Sequence, residues 1–187
     1  LWGYYRLVEL VDRRIGELLD GLEASGQAEN TLILFTSDHG DGMARHGWNQ
    51  KTLFYDEVAR LPFILSWPER LPAGTVNADH LLNLGTDLFP TLMDAAGIAQ
   101  PGHLKGISAL PAAAGQRDAP CHSFIVSENN LQPAWEKRGE ASGRMVRTRR
   151  YKYVRYNKGR HPEQLFDMEA DPLEIRNLVA NPDYTDV

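Results

Sequence analysis

TLILFTSDHGDGMARHGWNQK, residues 31–51, joins two dissimilar textures. Its first six residues are apolar or β-branched on consecutive positions, the pattern of a strand covered on both faces. The remainder is polar and carries Asp38, His39, Asp41, His46 and Lys51. A second apolar run, PFILSW at 62–67, lies between Pro62 and Pro68, and KTLFYDEVAR at 51–60 has the spacing of a short helix. HLLNL at 80–84 reads as a third short strand. TDLFPTLMDAAG at 86–97 reads as a helix with Thr86 as N-cap, Pro90 where a missing N–H costs little, and Gly97 as its stop. Upstream, residues 4–25 place Leu7, Val8, Val11, Ile15, Leu18 and Leu22 at helical spacing, so an amphipathic helix with one buried face is expected, closed by Gly26.

Strands alternating with helices predict crossover units, hence an α/β fold with a mixed, largely parallel sheet flanked by helices. Residues 100–120, rich in Pro, Gly and Ala, read as a connection. Beyond it HSFIVSENN, RMVRTRRYKYVRYN and EQLFDM are strand-like and close together, followed by one short helical segment, PLEIRNLV. Short connections favour a smaller C-terminal antiparallel sheet with a helix laid on it. The expected division is 1–119 for an α/β part and 120–187 for the antiparallel part.

The chain has 187 residues, enough for one substantial core. It contains no apolar run long enough to span a membrane and no signal-peptide pattern. It opens LWGYYRLVEL without Met and is expected to be a piece of something longer, so localisation is not legible. The single cysteine, Cys121, excludes an internal disulfide and reads as an ordinary half-buried residue. A net charge of -5 argues against nucleic acid as a partner. Residues 143–160 run against that balance, with eight Lys and Arg, no acid, and Tyr151, Tyr153 and Tyr156 interleaved. A solvated sheet edge or hairpin is the favoured reading, ahead of a groove for a polyanion.

Ligands of crossover sheets bind beyond the carboxyl ends of the strands, where Asp38 and His39 stand. A carboxylate oxygen and a neutral imidazole nitrogen are both donors to a divalent cation, and Gly40 and Gly42 allow the chain to turn there. A turn residue and a polar loop histidine explain the same pair without a metal. Lys51, opening the next expected helix, suits an anionic group. Asp41 reads as a turn residue, Asp87 as a helix cap, and Asp171 and Glu174 as caps of the last helix.

The run TSDHGDGMARHGWNQKTLFYDEVARLPFILSWP resembles the C-terminal half of the type I sulfatases, members of the alkaline phosphatase superfamily. The resemblance continues in order through NLGTDLFPTLMDAAGI, MVRTRRYKYVRY and EQLFDMEADPLEIRNL. It implies sulfate ester hydrolysis in an alkaline phosphatase-like fold of which this chain is a part. It also implies that Asp38 and His39 are metal ligands, usually of calcium, and that Lys51 binds the sulfate and steadies the departing oxygen. The His39 donor leaves manganese or magnesium open as well. His46 stands between substrate contact or proton transfer and a local loop role. Trp48 and Asn49 stand between a substrate subsite and, for Trp48, packing over the loop base.

The family's nucleophile is a formylglycine made from Cys or Ser in a Cys/Ser-x-Pro-x-Arg motif, and none occurs here: Cys121 is followed by His-Ser-Phe. The chain is therefore expected to be inactive alone, to need the N-terminal half of the same protein, and to act there on a sulfate ester, a sulfated glycan among the candidates. A phosphonate monoester or phosphodiester hydrolase of the same superfamily, and a non-catalytic metal- and anion-binding remnant, are the rival readings.

Overall fold

The computed structural model describes residues 2–130 and 141–187. Helix α1 (Trp2–Ala24) ends as expected at Gly26, whose φ of 70° lets its N–H turn back onto the Glu23 carbonyl at 2.9 Å. The two apolar runs become β1 (Ile33–Thr36) and β2 (Phe63–Ser66). They pair antiparallel, Ile33 opposite Ser66 and Thr36 opposite Phe63, so the largely parallel sheet is not met among the described residues. The connection, residues 37–62, is long enough for a crossover, but it is spent on the polar loop and on the single-turn helix α2 (Asp56–Ala59), shorter than expected, rather than on a helix that returns along the sheet.

HLLNL forms no strand among the described residues and leads directly into α3 (Leu84–Ala95). The helix begins earlier than Thr86 because the Asn83 side chain caps it, accepting the Gly85 N–H at 3.1 Å. Gly97, at φ 68°, stops it. Asp87 does more than cap. Fully buried, it accepts the Asn83 N–H at 2.8 Å, the Ile107 N–H at 3.0 Å and a hydrogen bond from His122 Nε2 at 2.9 Å, fastening the connecting segment to α3. A short helix, α4 (Leu110–Ala113), lies in that segment, and Cys121 beyond it is exposed rather than half-buried.

The C-terminal part is an antiparallel meander of β3 (Ile125–Asn130), β4 (Ser142–Arg147), β5 (Tyr151–Tyr156) and β6 (Glu163–Asp167), in that spatial order. Phe54 packs with Met145 and Val154 in a small core flanked by Tyr156, whose phenol burial pushes up to about 12. Asp167 is held below the usual carboxylate range by the Arg150 guanidinium, 2.7 Å away. One expectation fails here and another is met in part. PLEIRNLV forms no helix among the described residues: the left-handed Glu174, φ 55°, breaks it, and the segment runs instead along β6, with the Leu178 N–H on the Leu165 carbonyl at 2.8 Å. The basic run forms the β4–β5 hairpin, with Arg144 and Arg155 exposed as a solvated hairpin requires, but it is not a sheet edge: both strands are interior, and Lys152 on β5 is only 1% exposed.

The buried face expected of α1 is absent: none of its residues is buried, and Leu7 and Leu18 are 62% and 72% exposed. Phe35 and Ile64, on strands that read as covered on both sides, are exposed too. The chain exposes 13353 Å² for 21.0 kDa, against about 9,000 Å² for a compact monomer of that mass. These apolar faces therefore have no covering among the described residues. The isolated chain is expected to bind an apolar dye such as anilinonaphthalene sulfonate; no dye fluorescence together with a sharp cooperative thermal transition would contradict this.

Candidate functional site

Strand β1 delivers the polar loop. The Thr36 hydroxyl donates to the Pro62 carbonyl at 2.8 Å, closing the end of the strand pair, and the chain then turns out of the sheet. The Ser37 hydroxyl donates to the His39 carbonyl at 2.9 Å, and Asp38 Oδ1 accepts the His39 N–H at 3.0 Å, fixing the turn locally. Gly40 then seats the loop on α2, its N–H on the Val58 carbonyl at 2.9 Å. A Cβ there would fall 2.0 Å from the Glu57 carbonyl oxygen, so no other residue fits. Gly42 donates to the Gln50 carbonyl at 2.9 Å, closing the loop base, and the Trp48 ring packs directly over it. Asp41 is a turn residue, accepting the Met43 N–H at 2.9 Å.

His39 has a defined tautomer. Its Nδ1 lies 2.8 Å from the Gly40 carbonyl, which can only accept, so Nδ1 carries the proton and Nε2 presents its lone pair. Asp38 Oδ2 is 3.5 Å from that Nε2, and the Lys51 ammonium donates to it at 2.7 Å. A carboxylate oxygen and an imidazole lone pair thus converge where a positive group already stands, which is the donor chemistry a divalent cation takes. Among the described residues no cluster of three or more His, Cys, Asp or Glu forms a metal cage. Lys51 lies five residues before α2 rather than at its start, so it does not stand beside that helix's N–H groups as expected.

Asp38, His39 and Lys51 line one cavity of about 480 Å³, together with Phe54 and, from β3, Glu128 and Asn129. His46 does not line it. Its ring stacks on Tyr55 at 3.8 Å, and its Nε2 faces Glu57 at 3.7 Å, where Arg45 also binds at 2.7 Å. Asn49 is exposed outside the cavity. The residues that sequence reasoning missed are Lys152, Asp56 and Glu174, which meet beneath Phe54. The period of two in YKYVRY carried a signal, since Lys152 shares a face with the core residue Val154.

Residues 44–187 match the family model described as N-sulphoglucosamine sulphohydrolase, C-terminal. The chain belongs to the sulfatase family. It is 38% identical to a Δ4,5-hexuronate-2-O-sulfatase of Bacteroides thetaiotaomicron over 98% of this sulfatase chain and 38% of that protein. Its structure resembles that of a 2-O GAG sulfatase, with a TM-score of 0.83 and 37% identity over 94% of this chain and 37% of the other. The phosphonate monoester hydrolase of Agrobacterium radiobacter is similar at a TM-score of 0.77 and 28% identity, over 93% of this chain and 36% of that one. The chain therefore spans well under half the length of these relatives.

Two glycines in this sulfatase loop separate crowding from backbone strain. Gly40→Ala must displace the α2 backbone and is expected to cost about 3 kcal/mol. Gly47, at φ 70° with open space around it, costs only the left-handed penalty of about 1–2 kcal/mol when changed to Ala. Denaturant unfolding of the two variants, made in the complete protein, tests the order, and a larger loss for Gly47→Ala would contradict the packing described.

Proposed function

We propose that this chain supplies the metal- and anion-binding half of a sulfate ester hydrolase. The carrying observation is the meeting of Asp38, His39 Nε2 and Lys51 in one cavity at the end of β1, in a member of the sulfatase family. Asp38 and His39 are the proposed metal ligands, with calcium the first choice and manganese or magnesium the alternatives. A bound cation would polarise an ester oxygen and offset charge developing on it. Since Nε2 cannot serve both a cation and an ammonium, Lys51 turns its charge to the sulfate and steadies the oxygen that departs.

His46 is assigned to the loop rather than to proton transfer, because it is stacked on Tyr55 and faces Glu57. Trp48 is assigned to the loop base, and Asn49, exposed, to the rim where a large substrate would pass. The nucleophile, a formylglycine, and the remaining metal ligands are proposed to lie in the N-terminal half that the relatives possess. That half also covers α1 and the β1–β2 pair. Residues 1–119 then complete the α/β catalytic domain, whose central sheet is largely parallel once whole, and 120–187 form the smaller subdomain. The activities named for the relatives, on hexuronate 2-O-sulfate and on 2-O-sulfated GAG, support a sulfated glycan as substrate.

The likeness to a phosphonate monoester hydrolase supports a second reading, because a lysine and a cation receive either tetrahedral anion. In the complete protein, Lys51→Ala is expected to lower kcat/KM on 4-nitrophenyl sulfate about 10²-fold. An unchanged rate would remove Lys51 from the site. Faster turnover of an aryl phosphonate monoester than of the sulfate would move the assignment to the second reading, and anion binding with no turnover of either would mark a binding remnant.

A further inference from the structure

Lys152 lies on an interior strand of the C-terminal sheet, 1% exposed, yet its ammonium is aimed at the segment that follows Lys51. Nζ donates to the Phe54 carbonyl at 3.0 Å, pairs closely with the Asp56 carboxylate, and lies 2.8 Å from Glu174 Oε1. Glu174 completes the ring, its Oε2 accepting the Asp56 N–H at 2.6 Å. Burial pushes the Glu174 carboxyl up, and the Lys152 charge pulls it back. The same sheet takes hold of the same segment at two further points, Asn129 donating to the Thr52 carbonyl at 3.0 Å and Gln164 to the Tyr55 hydroxyl at 3.3 Å.

A buried ion cluster is costly to desolvate, and well-packed apolar side chains in place of all three charged groups would fill the same space as well or better. What the ammonium adds is direction, since a carbonyl and two carboxylates must meet one point. The loop upstream needs such an anchor. Between Gly40 and Lys51, Met43, Ala44, His46 and Gln50 all sit at positive φ, a strain that persists only when both ends of the loop are fixed. Gly40 on α2 fixes the first end, and the Lys152 cluster fixes the second just beyond Lys51.

We infer that Lys152 and Glu174 are positioning residues, which hold residues 52–56 so that the Lys51 ammonium stays in register with Asp38 and His39. The inference rests on Lys51 contacting the sulfate ester. It is tested in the complete protein by a double-mutant cycle of Lys152→Met with Lys51→Ala, read as kcat/KM on 4-nitrophenyl sulfate beside thermal unfolding of each variant. Lys152→Met is expected to lower kcat/KM about 10- to 100-fold when Lys51 is present, and by no more than about twofold when Lys51 is already Ala. If Lys152→Met does not fold, Glu174→Gln, which keeps the side-chain volume and an acceptor for the Asp56 N–H, carries the cycle with the same expectation and a smaller first loss. Equal losses in both backgrounds would overturn the inference, showing that the cluster acts on the fold and not through Lys51. A Lys51→Ala protein as active as the parent would overturn the sulfate contact itself, and this inference with it.

Discussion

One buried ammonium joins the two parts of the chain. Lys152 stands on the C-terminal meander, and the groups that satisfy it belong to the segment entering α2 and to the irregular stretch after β6. Leaving either carboxylate without its cation would bury an uncompensated charge, which is far more costly than the pair itself is favourable. The constraint explains features that look unrelated. Phe54 enters the core of the C-terminal sheet, Glu174 accepts a left-handed backbone, and the last segment runs along β6 instead of forming a helix.

The geometry at the other end of the segment follows from that anchorage. A loop with four non-glycine residues in the left-handed region cannot be held by its own hydrogen bonds alone. It is held by Gly40 against the α2 backbone, by Trp48 over Gly42, and by Arg45 and His46 against Glu57. The side chains left pointing into the cavity are Asp38, His39 and Lys51, close enough that the imidazole already accepts a hydrogen bond from the ammonium. Rigid support on both sides of a small polar cluster is what preorganised electrostatic catalysis requires.

Much of this was legible in the sequence, for local reasons. Strand β1, the end of α1 at Gly26 and the meander strands are written in apolar runs and glycines that act over a few residues. The strand pairing was not, because antiparallel β1 and β2 are joined through a loop whose path depends on contacts with α2 and the C-terminal sheet. PLEIRNLV has apolar residues at helical spacing, yet the tertiary demand on Glu174 overrides that pattern. Lys152 was hidden by its neighbours: seven other cations in the same run suggest solvent, and only the alternation within β5 marks it as inward. The helical spacing of α1 was legible, but its expected buried face is not met, since Leu7 and Leu18 stay exposed and none of its residues is buried.

The central claim is that Asp38 and His39 form half of a cation site whose anion is received by Lys51. Anomalous diffraction from crystals of the complete protein grown with manganese tests it most directly. A peak about 2.0–2.6 Å from an Asp38 carboxylate oxygen and from His39 Nε2, with the Lys51 ammonium turned away from that nitrogen, is the expected result. A peak that avoids both residues, or Lys51 still donating to His39 Nε2 in the loaded protein, would contradict it.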